Sequence, residues 1–214
     1  MLEIKNISKV YRKGSEEFIA LNDVSLRIEK GEYIVISGQS GAGKSTLLYA
    51  IGGLIHPDKG QVIYNGTDIY KLKGSLINEY RKKHIGFMFQ QFHLMPYLTL
   101  LENIRLAFRN NQQPGVIDTY LEKCSLSDLK NKYPSELSVG EKQRTAFIRA
   151  IISNPDILLA DEPTGNLDPE NSKVLMSFIN DFHKSGGTVL VVSHDPQLAK
   201  YADRNIILEK GRIL

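Results

Sequence analysis

The chain holds a single cysteine, Cys124, so no intrachain disulfide can staple it, and a lone thiol suits a reducing compartment. It has little charge of one sign: 27 basic against 24 acidic residues leave a net +3, too mild to argue for nucleic acid or an anionic membrane surface as partner. No apolar run approaches the length of a membrane span, and the longest, around Ile157–Ala160 and Thr188–Val192, have the length of strands. Any membrane role therefore has to come through a partner. Met1–Ile7 carries Glu3 and Lys5 where a secretory leader would need apolar residues. Repeats and low-complexity tracts are also missing. What is present is ordinary for a soluble domain: 214 residues, 42% hydrophobic and 24% charged, enough for one compact core or two apposed subdomains.

Along the chain, Leu2–Ile7 and Leu26–Ile28 read as amphipathic strands, and Tyr33–Ser37 is a short apolar run entering a Gly-rich turn. Gln61–Tyr64 reads as a strand followed by an Asn65-Gly66 turn, since that pair supplies positive φ. A helix is expected from Leu47 to about Ile55. Ile157–Ala160, Thr188–Val192 and Ile206–Leu208 read as buried strands. From about Gln91 to Ser153 helical patterns dominate, broken at Asn110–Gly115 and at Tyr133-Pro134. The expected organisation is an α/β core, residues 1–90 and 154–214, with a helical subdomain, 91–153, inserted.

The Gly-rich turn carries the chemistry. Gly38, Gln39, Ser40, Gly41, Ala42, Gly43, Lys44 and Ser45 match G-x-x-x-x-G-K-[ST] between a strand and a helix. Glycines let successive N–H groups face a phosphate, and the new helix adds its positive end. Lys44 is expected to reach the β- and γ-phosphates and the Ser45 hydroxyl to ligate Mg²⁺, with Thr46 completing the cradle. Asp161 ends the apolar run Ile157–Ala160, where a carboxylate near such a loop can hold Mg²⁺. Glu162, next in sequence, is placed to polarise an attacking water as a general base.

Further motifs follow in a fixed order: Gly86-Phe-Met-Phe-Gln90, Leu137-Ser-Val-Gly-Glu141, Leu159-Ala-Asp-Glu-Pro-Thr-Gly-Asn-Leu-Asp168 and Val192-Ser-His194-Asp. In that order and spacing the chain resembles the ABC ATPases along its whole length. The resemblance implies a P-loop NTPase (RecA-like) α/β core, an N-terminal antiparallel β subdomain and the inserted helical subdomain. It implies that Gln90 reaches the metal and the attacking water, that His194 is the switch histidine, and that Tyr11 stacks on adenine. It also implies ATP hydrolysis by a dimer: Ser138, Val139, Gly140 and Glu141, with Asp168, would close the ATP site of a facing subunit. Ser138–Glu141 fits a capping box that opens a helix, whose apolar stripe is Phe147, Ile148 and Ile151. Its free N–H groups would meet the partner's γ-phosphate. Val139 stands where the family usually has glycine; in a first helical turn it is expected to be harmless.

A narrower resemblance links Tyr80–Thr99 and Ala160–Asp168 to the branch of lipoprotein-release, macrolide-export and cell-division ATPases. That branch implies an integral membrane permease subunit as partner and a cytoplasmic protein peripheral on the inner face of the membrane, with no nucleic acid. In the family, the region of Phe92–Leu98 lines the groove that receives a helix of the membrane partner; the same residues could equally pack inside the helical subdomain. The alternative is a soluble ABC ATPase, but the chain lacks both the coiled-coil insertion of repair types and the second cassette of translation types. A small-molecule kinase would need neither the Leu137–Glu141 block nor His194.

Overall fold

The computed structural model describes residues 1–108 and 115–214; of the expected break at Asn110–Gly115 only Gly115 lies among them. Strands β1 (Leu2–Lys13) and β2 (Glu16–Ile28) form a long antiparallel hairpin. With β4 (Lys59–Tyr64) and β5 (Thr67–Asp68) they build a four-stranded sheet in the order β2-β1-β4-β5. The second sheet joins β3 (Tyr33–Ser37), β6 (Ile85–Met88), β7 (Ile157–Asp161), β8 (Thr188–Val192), β9 (Arg204–Glu209) and β10 (Arg212–Ile213). Its order is β10-β9-β3-β8-β7-β6, parallel throughout except for the β9–β10 pair.

The parallel strands explain the uninterrupted apolar runs. Successive side chains point to opposite faces. Ile34, Ile36, Ile157, Leu159, Leu190 and Val192 face one core, shared with the hairpin and with helix α1 (Lys44–Ile51). Tyr33, Val35, Leu158, Ala160, Val189 and Val191 face the other. That second core is closed by α3 (Leu100–Arg105), α4 (Val116–Lys123), α5 (Val139–Ile151) and α6 (Pro169–Lys184). Strands covered on both faces need no polar alternation. Helix α2 (Gly74–His84) leads into β6.

Several boundaries differ from the sequence reading. The first strand runs on to Lys13 and the second begins at Glu16, because cross-strand pairing continues through polar residues that carry no apolar period. Helix α1 begins at Lys44, directly out of the glycine turn, and stops at Ile51 before Gly52 and Gly53, the latter at φ 70°. β9 is not buried on both sides: Ile206 and Leu208 point inward while Ile207 is 52% exposed. The stripe of α5 is as expected, with Phe147, Ile148 and Ile151 all buried.

Candidate functional site

The loop leaving β3 is shaped by two close backbone approaches. A Cβ on Gly38, at φ 152°, would lie 2.1 Å from the carbonyl oxygen of Leu208 in β9; one on Gly43, at φ 99°, would lie 2.0 Å from that of Ala20 in β2. Both sheets thus press on the loop, and only glycine fits these two places. Lys44 is 8% exposed, and its ammonium donates to the carbonyls of Gly38 (2.8 Å) and Gln39 (3.0 Å). The cation is thereby held against the first carbonyls of its own loop. The loop opens into a cavity of about 600 Å³ whose far wall is formed by Gln90, Glu162 and His194, with Phe18 at its rim.

Two adjacent carboxylates stand there in different surroundings. Asp161, at the end of β7, is 1% exposed and accepts hydrogen bonds from the Ser45 hydroxyl (3.0 Å) and the Tyr49 hydroxyl (2.8 Å). Burial pushes its carboxyl above the ordinary range, against those two hydrogen bonds and Lys44, which favour the charged form. Glu162 has left the strand: its φ is 46°, its N–H donates to the Val192 carbonyl at 2.9 Å, and its Oε2 lies 2.8 Å from His194 Nδ1. His194 remains largely exposed, whereas the Glu162 side chain is nearly covered. Ser193 Oγ adds a longer contact to the same oxygen, at 3.5 Å.

A family model described as ABC transporter matches residues 21–165. The chain belongs to the ABC transporter family. Over its full length it is 41% identical to an uncharacterised ABC transporter ATP-binding protein of Methanocaldococcus jannaschii, covering 98% of that protein. It is 39% identical to another such protein, YvrO of Bacillus subtilis, covering 96% of it. It is 38% identical to the macrolide export ATP-binding/permease protein MacB of Chlorobaculum tepidum, matching 34% of that longer chain. Among solved structures it resembles the dimeric ABC transporter cassette MJ0796, with a TM-score of 0.93 and 37% identity over the whole chain and 96% of that one. The same cassette in a post-hydrolysis state bound to ADP and Pi matches equally well. The protein is thus an ATP-binding cassette with the fold of the ABC ATPases.

In this ABC ATPase, Gly38, Gln39, Ser40, Gly41, Gly43, Lys44, Ser45, Thr46, Gln90, Glu162 and His194 share the cavity. Ala42 is buried, and Asp161 joins the site through Ser45. Tyr11 does not line the cavity. Its hydroxyl rests 3.5 Å from Thr46 Oγ1, and the ring that lines the rim is Phe18, its direct partner across the hairpin. Ser138, Val139, Gly140, Glu141 and Asp168 are also outside it. Ser138 and Glu141 form the expected reciprocal cap of α5, and Asp168 caps α6 by accepting from the N–H groups of Glu170 and Asn171. Gly140 is buried against Asn171: a Cβ there would lie 2.5 Å from Asn171 Oδ1. Sequence reading overlooked Tyr49 and Phe18. Tyr49 lies one helical turn after Ser45 and so shares its face, a spacing that would have revealed it; nothing local singled out Phe18.

Proposed function

We propose that this ABC cassette binds Mg-ATP in the Gly38–Thr46 loop, closes on a second copy of itself around two nucleotides, and drives a separate integral membrane permease from the cytoplasmic face. The observation that carries the reading is spatial. Lys44, Ser45, Glu162 and His194 converge on one cavity, whereas the start of α5, with Ser138 and Val139 exposed, faces elsewhere on the same chain. A helix N-terminus that cannot reach its own phosphates is suited to another subunit's.

The residues fit the metal: the Ser45 hydroxyl and the Asp161 carboxylate present hard oxygen donors 3.0 Å apart beside the phosphate loop, with Gln90 on the same cavity. Bound Mg²⁺ supplies neutralisation of the charge that develops on the phosphate oxygens. Lys44 and the loop N–H groups hold the β- and γ-phosphates. Glu162 takes a proton from the attacking water, and His194 fixes the carboxylate by its hydrogen bond to Oε2. Gln90 orients the water. The left-handed backbone of Glu162 turns its side chain out of the sheet and into the cavity.

The membrane partner has a candidate seat. A groove of about 760 Å³ runs beside β6 and α5, lined among others by Phe87, Phe89, His93, Met95, Leu106 and Phe108. The Arg149 guanidinium pins its lip by donating to the carbonyls of Phe92 and His93, both at 2.7 Å. Methionine and aromatic side chains suit an adaptable apolar seat for a helix. Among the described residues no helix is long and apolar enough to cross a membrane.

Glu162→Gln tests the reading. Turnover should fall by about 10² or more while ATP binding persists, and the variant should elute as an ATP-dependent dimer on size exclusion. Full turnover in that variant removes Glu162 from catalysis; a variant that stays monomeric with bound ATP removes the dimer.

A further inference from the structure

Helix α5 is exposed where it begins and buried one turn later. Gln143 is 2% exposed, and its Nε2 donates to the Pro163 carbonyl at 2.5 Å. The amide orientation is dictated by that partner, since a carbonyl only accepts. Its Oε1 has no hydrogen-bond partner among the described residues. An orphaned buried acceptor is costly, so an apolar side chain of the same volume would suit packing alone better.

The bond lands on the residue after Glu162. Pro163 has no N–H, so beyond the Glu162 N–H bond to Val192 the turn is held by carbonyls: that of Glu162 takes the N–H of Gly165 at 3.1 Å, and that of Pro163 takes Gln143. Glu162 itself sits at φ 46°, a conformation its own side chain disfavours and its surroundings must maintain. A second tie runs parallel. Arg144 Nη1 donates to Asn171 Oδ1 at 2.8 Å, and Asn171 Nδ2 donates to Asp168 Oδ2 at 2.6 Å. The start of α5 is therefore joined, within one chain, to the loop that presents Glu162.

We propose that Gln143 is a positioning residue for Glu162 of its own chain: it transmits the seating of the α5 start on the facing subunit's nucleotide to the carboxylate that activates water at the other site. This rests on the dimer proposed above. Each site would then be set for hydrolysis only when the start of the chain's own α5 is engaged across the interface.

Gln143→Met conserves volume and removes the donor. It should lower kcat by about 10- to 100-fold, as a small misplacement of a catalytic group does, with KM for ATP within about twofold of wild type. ATP-dependent dimerisation in a Glu162→Gln background should be unchanged, and thermal melting checks the fold; Gln143→Leu repeats the test if Met fails to fold. Mixed dimers locate the effect. With Glu162→Gln in one copy, Gln143→Met placed in the other, which keeps Glu162, should abolish most turnover, and placed in the Glu162→Gln copy should leave it. The reverse pattern, or an unchanged kcat, overturns the proposal. A parallel loss of dimerisation or of KM also overturns it, by making Gln143 a structural residue. If Glu162→Gln alone forms no ATP-dependent dimer, the dimer reading has failed, and the kcat of Gln143→Met against wild type still decides whether Gln143 positions Glu162.

Discussion

Asp161 and Glu162 are neighbours joined by one peptide bond, yet one is sealed under Ser45 and Tyr49 and the other leans into the cavity against His194. The break between them is the left-handed turn at Glu162, which ends the strand and reverses the side-chain direction. The same residue-scale reasoning separates the two aromatic rings of the hairpin. Tyr11 and Phe18 are cross-strand partners and share a face, but only Phe18 lines the cavity. Phe18 is thus a second candidate, beside Tyr11, for the ring that meets a bound base, and Tyr11 sits next to Thr46. Phe18→Ala should weaken ATP and GTP alike by about 0.5–1.5 kcal/mol, since stacking is tolerant of base identity, and leave inorganic triphosphate unaffected. Tyr11→Ala should cost less. Calorimetric titrations of the three ligands check this, and a larger loss in Tyr11→Ala restores the role expected of Tyr11 from sequence.

At the scale of elements, the start of α5 shows how two neighbouring positions in one turn differ. Val139 is 45% exposed in the first turn of a capped helix, where valine costs only tenths of a kcal/mol. Gly140 is buried, with Asn171 in the space a methyl group would need. The crowding at Gly140 thus arises within the chain, before any partner's phosphate is considered. Val139→Gly should change ATP turnover by less than about tenfold, roughly 1.4 kcal/mol in barrier height. Gly140→Ala should lower stability by about 1–3 kcal/mol, because Asn171 must move and loosen its bonds to Asp168 and Arg144. Chemical denaturation and steady-state ATPase assays on both variants separate the effects; a hundredfold gain in Val139→Gly would mark the native valine as a brake.

At the scale of the whole molecule, the antiparallel sheet is tied to the parallel core far from the nucleotide cavity. The Tyr64 hydroxyl of β4 donates to Asp156 Oδ2 at 2.6 Å, and His84, at the end of α2, meets the same oxygen. Burial raises the Asp156 carboxyl, but the bonds from Tyr64 and His84 and the charges of His84 and Lys30 outweigh it and hold it below its ordinary value of 3.8. The sign follows: a depressed folded pKa stabilises at pH above the unfolded value, and that contribution is lost as pH falls through the folded one. Asp156→Asn should therefore cost about 1 kcal/mol at pH 7, discounted for the partial exposure of the pair, and the wild-type and variant stabilities should converge below pH 3.8. Denaturant titrations across that range check it; a difference that persists at the acid end would leave packing as the cause.

The parts of this protein legible in its sequence are those whose requirements are local. The glycine turn between strand and helix, the cap at Ser138–Glu141, the strands buried on both faces and the paired Asp161–Glu162 are set by backbone freedom, periodicity and adjacent side chains. The long hairpin and helices α2 and α6 were less legible, because pairing and capping carry them through residues without a clean apolar period. Only the tertiary structure decided the rest: that the carbonyls of Leu208 and Ala20 forbid a side chain at Gly38 and Gly43, that Phe18 and not Tyr11 lines the cavity, and that Gln143 reaches Pro163. Each of these joins residues distant along the chain, and such contacts exist only once packing has brought separate elements together.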